Sequence, residues 1–384
     1  MILSAISYCE YLKDDREWKL DKLVFGSSNL LVGKNATGKT RTLTIIKALS
    51  NLLSGQNKSL INGQWDAEFT QEDVRFHYTL KIKNQQVLSE KLLRVRAGQE
   101  KMLLQRRKNG SGQLWAEKSK RLVDFQSPQD QIVAVARRDK IQHSYFIPLV
   151  DWGKAVFFFP FGREMGAQTL LMKVEDPAQQ LSFDPKNTSL VVDIFQRGEK
   201  EFGKKFVTDL VSDMQQIGYL VDKIEVDTPR GITVSRPLLG KLLSLNVKEK
   251  DLRCTTEQMF ISAGMFAALS VIVQINYLIR SLSPSCFIID DIGEGLDYER
   301  SCAIIDVLIH KASKYSIQLI MSSNDRFVMN RVPLEMWTIL NRKGSVVKGY
   351  NIHNSAKKFE QFRFTGMSNF DLFATNYLFS NSRK

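Results

Sequence analysis

The run Gly33-Lys34-Asn35-Ala36-Thr37-Gly38-Lys39-Thr40 follows the apolar stretch Asn29 to Val32 and precedes a helical pattern, completing a GxxxxGK[ST] phosphate-binding loop. A strand that ends in such a loop and passes into a helix calls for an α/β fold with the loop at the strand's carboxyl end. Gly33 and Gly38 let several backbone N–H groups converge on phosphate oxygens, and the helix that follows aims its positive N-terminal dipole at the same anion. Lys39 reaches the β/γ-phosphates and the Thr40 hydroxyl supplies an oxygen for Mg²⁺. The expected nucleotide contacts are therefore Gly33, Asn35, Ala36, Thr37, Gly38, Lys39 and Thr40, with Arg41 at the helix start.

Far downstream, Cys286-Phe287-Ile288-Ile289 reads as a fully buried strand ending in Asp290 and Asp291, the pattern of a Walker B strand. Carboxylates at the end of a central parallel strand lie beside the phosphate loop. Asp290 is then placed to hold Mg²⁺ through water and Asp291 to polarise the attacking water. Taken alone, the pair could also be two acids capping a strand in a loop.

The surroundings of that strand narrow the class. Asp290-Asp291-Ile292-Gly293-Glu294-Gly295-Leu296-Asp297 aligns without a gap to the Walker B to D-loop run D-E-P-x-x-x-L-D. Phe260-Ile261-Ser262-Ala263-Gly264-Met265 opens a long apolar helix through about Ile279 and is similar to a degenerate LSGGQ signature. After the next helix, Ile317 to Met321 forms another buried strand, and Ser322-Ser323-Asn324-Asp325 falls where a switch histidine is otherwise found. On these residues the chain resembles the ABC-type AAA ATPases of the SMC, RecF and OLD side of the superfamily (the AAA_15/AAA_21 group), over roughly 1–56 and 251–350. The resemblance implies ATP and Mg²⁺ as cofactors, and Ser262, Gly264 and the D-loop Asp297 as contacts to nucleotide. Ser262 and Gly264 would complete the site of a second copy, so a homodimer or higher homo-oligomer through the ATP sites is expected. Asp291 and Asn324 would be the catalytic positions, and both depart from the family pattern. The shorter carboxylate stands one methylene further from the water, and an asparagine cannot carry a histidine's charge. Slow hydrolysis follows.

The fold expected is an α/β P-loop NTPase. It comprises an ABC-type ATPase head from 1–56 and 251–350, an inserted β-rich and mixed α/β lobe over 57–250, and an aromatic-rich segment at 351–384 packing on the head or a partner. Alternation through Phe76, Tyr78, Leu80 and Ile82 marks antiparallel strands between about 57 and 125, with a turn at Asn109 to Gly112. An extended run near Val156 to Phe161, a helix near Lys200 to Ile217 and short strands near Lys223 to Val234 follow. No heptads are sustained, so long coiled-coil arms are not expected.

A formal net charge of +13 over 384 residues points to a polyanionic partner. The excess gathers at Lys101, Arg106, Arg107, Lys108, Lys118, Lys120 and Arg121 around a possible stacking surface on Trp115. Further clusters are Arg137, Arg138, Lys140 and Arg197, Lys200, Lys204, Lys205. DNA, RNA and an acidic protein look alike at this level, and an ordinary solvated face would carry the same charges. The four cysteines show no C-x-x-C spacing, no apolar run reads as long enough to span a bilayer, and the N-terminus lacks a signal sequence. A cytoplasmic chain without membrane contact is the expectation.

Three function classes compete. The first is a sensor or regulatory ATPase with a separate effector protein, resembling the ATPase subunits of bacterial anti-phage defence, with a DNA-repair ATPase as its bland counterpart. An OLD-like nuclease would need strand-end acidic clusters after the switch region, where none occur. A transporter ATPase would carry the signature much closer to the phosphate loop.

Overall fold

A computed structural model describes residues 1–56, 59–163, 165–174, 183–231 and 240–379. Strands β1 (Ile2–Glu10), β2 (Trp18–Val24) and β3 (Ser28–Val32) lead into the phosphate loop, and helix α1 (Lys39–Ser54) leaves it. Leu43, Ile46, Leu49 and Leu53 fall on one buried face of α1, which stops where Gly55 turns left-handed at φ 76°. An antiparallel meander follows: β4 (Gly63–Gln71), β5 (Val74–Lys83), β6 (Gln86–Arg96), β7 (Gln99–Arg106), β8 (Ser111–Ala116) and β9 (Arg121–Gln126). The turn before β8 is shorter than expected, since Ser111 and Gly112 already pair in the sheet.

Helices α2 (Val133–Ala136) and α3 (Ile147–Lys154) bring the chain back to α1, and β10 (Val156–Pro160) and β11 (Leu171–Val174) come next. The single helix expected near Lys200 is two, α4 (Val191–Phe202) and α5 (Lys204–Gln216), because Gly203 adopts φ 65° and ψ −157° between them. That conformation suits glycine and breaks the hydrogen-bond ladder of a helix. Strands β12 (Val221–Asp227), β13 (Gly240–Glu249) and β14 (Thr256–Glu257) follow; Val234, the expected end of a strand region, lies outside the described residues. The chain then alternates as α6 (Ala263–Ser281), β15 (Cys286–Asp290), α7 (Tyr298–Lys314), β16 (Gln318–Ser322), α8 (Arg326–Arg331), β17 (Trp337–Lys343) and β18 (Val346–Tyr350), ending in α9 (Ile352–Arg363) and α10 (Asn369–Ala374).

Among the described residues a 14-stranded sheet runs in the order β10-β15-β16-β3-β17-β18-β2-β1-β4-β5-β6-β7-β8-β9. Its first five strands are parallel, with β15 and β16 beside β3, so the Walker B strand and the phosphate loop end at the same edge. Side chains alternate across this part. Leu30, Val32, Phe287, Ile289, Leu319 and Met321 enter one core with α6, whereas Leu31, Cys286, Ile288 and Ile320 enter a second core with α1 and the meander. Burial on both faces explains why these strands read as continuous apolar runs. A smaller sheet of β11, β13, β12 and β14 covers the first core.

The 19-residue α6 is long and apolar enough to cross a bilayer, although no such run was expected from the sequence. Its window is 78% buried inside the protein, so packing against the sheet, α4 and α5 accounts for its apolarity. No described helix is longer than α6, and coiled-coil arms are absent among the described residues. In the carboxy-terminal segment Phe359, Phe362, Leu372 and Leu378 are buried in the first core and Phe370, Phe373 and Tyr377 pack against it, whereas Phe364 is 92% exposed.

Candidate functional site

Helix α1 begins at Gly38, whose φ of 101° turns the chain into the helix with no side-chain cap and no acidic residue in the first turn. The helix therefore presents uncapped N–H groups and an uncompensated positive pole, the arrangement that receives a phosphate. Ala36 is also left-handed, at φ 63°, and Thr37 Oγ1 donates to the Lys34 carbonyl at 2.8 Å, which folds the loop tightly. A side chain at Gly33 would meet Thr37 Oγ1 at 2.5 Å and the Leu340 carbonyl at 3.1 Å, so this position has room for glycine alone. Lys39 lies almost wholly buried and donates to the Gly33 carbonyl at 2.8 Å. Burial pushes its ammonium pKa down, and the facing Asp291 and Asp290 pull it back up.

Asp290 closes the site from β15. Its Oδ1 accepts from Thr40 Oγ1 at 3.1 Å and from Ser322 Oγ at 2.6 Å. The hydroxyl and carboxylate are hard oxygen donors in contact, a set that fits Mg²⁺, which keeps several waters and takes few protein ligands. Asp291 follows at φ 54°, its backbone N–H donating to Ser322 Oγ at 2.9 Å. Its carboxyl pKa is raised, first by burial and then by the neighbouring Asp290 and Glu294, with Lys39 and Arg163 opposing. Asn324, exposed at the end of β16, donates from Nδ2 to Asn35 Oδ1 at 3.2 Å and so stands against the phosphate loop.

The remaining expected residues are held within their own chain. Arg41 pairs with Glu10 and stacks over Trp18 at 4.4 Å, the same ring a side chain at Gly38 would press against. Ser262 is the N-cap of α6, accepting from Met265 N at 3.4 Å. A Cβ on Gly264 would approach the Gly295 carbonyl to 2.6 Å, so the start of α6 packs tightly on the loop before Asp297. Asp297 caps α7 by accepting from Arg300 N at 3.0 Å and also pairs with the Arg300 side chain. Trp18 and the loop Phe161–Arg163 join the site without any local motif, and Ser322 and Glu294 join it from within the quoted runs, which gave them no role. That loop follows β10, and Gly162 N donates to the Asp290 carbonyl at 3.4 Å.

The first basic cluster divides. Arg106 is fully buried, donates to the Pro128 carbonyl at 2.7 Å and lies 4.0 Å from the buried Glu90, so it cannot meet an external phosphate as expected. Trp115 is no open stacking surface either, because Lys101 Nζ sits 3.2 Å over its ring. Arg107, Lys108, Lys118, Lys120 and Arg121 are exposed. The four cysteines are unpaired.

No protein-family model and no curated protein matches the chain. Among solved structures it is similar to an SMC head bound to the C-winged helix domain of ScpA, with a TM-score of 0.50 and 10% identity over 93% of this chain and 100% of that one. It is also similar to an Smc head domain with an extended coiled coil, bound to the C-terminal domain of ScpA derived from Pyrococcus furiosus. There the TM-score is 0.45 at 9% identity, covering 94% of this chain and 99% of that one. For the SMC head domain from Thermotoga maritima the TM-score is 0.41 at 9% identity, covering 91% and 99%. At such identity the likeness is one of fold, and the fold is an α/β P-loop NTPase of the ABC-type head class.

Proposed function

We propose that the chain binds ATP with Mg²⁺ and hydrolyses it slowly. The observation that supports this is the contact of Thr40 with Asp290 at the uncapped start of α1, which would join the two halves of a phosphate and metal site from 250 residues apart in sequence. Gly33, Asn35, Ala36, Thr37, Gly38, Lys39, Thr40 and Arg41 would surround the phosphates, Thr40 and Asp290 would hold the metal, and Asp291 would orient the attacking water. Slowness is supported by the short Asp291 side chain and by an uncharged Asn324 beside the loop.

The head of 1–56 and 251–350 would pair with a second copy, whose Ser262, Gly264 and Asp297 reach the bound nucleotide. Phe260 and Met259 stand 71% and 53% exposed immediately before the signature, apolar side chains that a second copy would cover. ATP is expected to shift the protein from monomer to dimer in sedimentation velocity. Asp291→Asn should keep the dimer while hydrolysis falls, because the amide preserves shape but orients water poorly. A monomer with and without ATP in both proteins would refute the pairing.

For its role we favour a regulatory ATPase with a separate effector, of the AAA_15/AAA_21 kind, in anti-phage defence; the motif resemblance and the lack of coiled coil among the described residues support it. A DNA-repair ATPase of the RecF or SMC kind is the second reading, favoured by the SMC-like fold and the exposed basic residues. Phage protection that requires Lys39 and a neighbouring gene supports the first, and damage sensitivity on deletion without a phage phenotype supports the second.

A further inference from the structure

Three charged side chains gather near the end of β15 with no hydrogen bond or salt bridge of their own among the described residues. Among the described residues, the Asp291 and Glu294 carboxylates and the Arg163 guanidinium form no hydrogen bond and no salt bridge. Asp290 differs, since its Oδ1 is committed to Thr40 and Ser322. The turn after β15 folds back on itself: Glu294 N donates to the Asp291 carbonyl at 3.3 Å, and Gly293 is left-handed at φ 89°. The loop after β10 lies against this turn. A Cβ on Gly162 would overlap Glu294 Oε2 and lie 2.8 Å from Asp291 Cβ, so both acidic side chains border the same small space. Lys39 faces Asp291 from α1, and Arg163 faces it from the loop.

Asp291 falls a methylene short of the glutamate found at that position in the motif it resembles. Glu294 has the longer side chain and returns from the next turn toward the same space. It is exposed, whereas Asp291 is half-buried. We infer that Glu294 accepts the proton of the attacking water that Asp291 orients. The inference rests on the ATPase reading above. The water oxygen bonds to the γ-phosphorus, the bond from that phosphorus to the β,γ-bridging oxygen breaks, and its electron pair leaves on ADP. The proton passes to Glu294 and then to solvent.

Glu294→Gln removes the base while preserving size at a position without partners, so the fold is undisturbed. ATP affinity and steady-state phosphate release are measured on the full chain, with Lys39→Ala as the control for the site. The expected result is a kcat lowered by about 100-fold or more with ATP affinity within about threefold of wild type, and Glu294→Asp in between. Lys39-dependent release that Glu294→Gln leaves within about threefold of wild type overturns the inference alone. A wild type without Lys39-dependent release overturns it together with the ATPase reading.

Discussion

Lys39→Ala is expected to raise the dissociation constant for ATP by about 100-fold, on the order of 3 kcal/mol, in a protein that remains folded. The ammonium is almost wholly buried and satisfied by one carbonyl, Gly33 O, with its pKa already pressed down by burial. In the free chain it is a costly charge; beside bound β/γ-phosphates it would become the cation that offsets them. Removing it therefore costs binding far more than stability. Isothermal titration with ATP and Mg²⁺, alongside circular dichroism, makes the comparison, and an affinity unchanged in a folded variant would contradict the role given to Lys39.

Arg106→Ala is expected to destabilise the protein by about 3–5 kcal/mol, the cost of leaving a buried charge unpaired. Glu90 and Arg106 face each other across β6 and β7 with fully buried side chains. Glu90 also accepts from Tyr78 OH at 3.0 Å and from Val133 N and Ala134 N at 2.7 Å and 2.9 Å, tying the meander to the start of α2. Burial nevertheless pushes the Glu90 carboxyl pKa up, with Arg106 among the groups opposing it. A raised folded pKa means the native state holds this proton more tightly than the unfolded chain. The resulting contribution is fully present below the unfolded value of about 4.3 and is lost as pH rises through the folded one. Without Arg106 the shift grows, so the variant should lose most at neutral pH and recover part of its deficit in mild acid. Pairing Arg106→Ala with Glu90→Gln should restore more stability than either change predicts alone. Urea denaturation of the single and double variants at two pH values is the measurement. A loss under about 1 kcal/mol for Arg106→Ala would place the pair among interactions of no consequence.

Both variants probe features of different legibility. The phosphate loop and the Asp290-Asp291 strand end could be read directly, because each depends on consecutive residues whose backbone and side-chain chemistry is local. The residues that complete the site could not. Ser322 meets Asp290 only because β16 lies beside β15, and Gly162 reaches Asp290 only because β10 pairs on the other side. Arg106 looked like part of a solvated basic run, since nothing local reveals that the β6 to β7 register sets it opposite a buried glutamate. Gly203 within an amphipathic pattern concealed a break between two helices, because apolar periodicity continues across it while the backbone does not. The aromatic carboxy-terminal run leaves packing on the head or on a partner open in sequence, and only the fold shows Phe359 and Phe362 buried in the first core.

Phosphate release from ATP by the purified full chain tests the central claim most directly, measured with Mg²⁺, with a chelator in place of Mg²⁺, and in Lys39→Ala and Asp290→Ala. The contact between Thr40 and Asp290 predicts slow release by the wild type that disappears without the metal and in both variants. No release by the wild type, or release that persists when Lys39 or Asp290 is replaced, would contradict it.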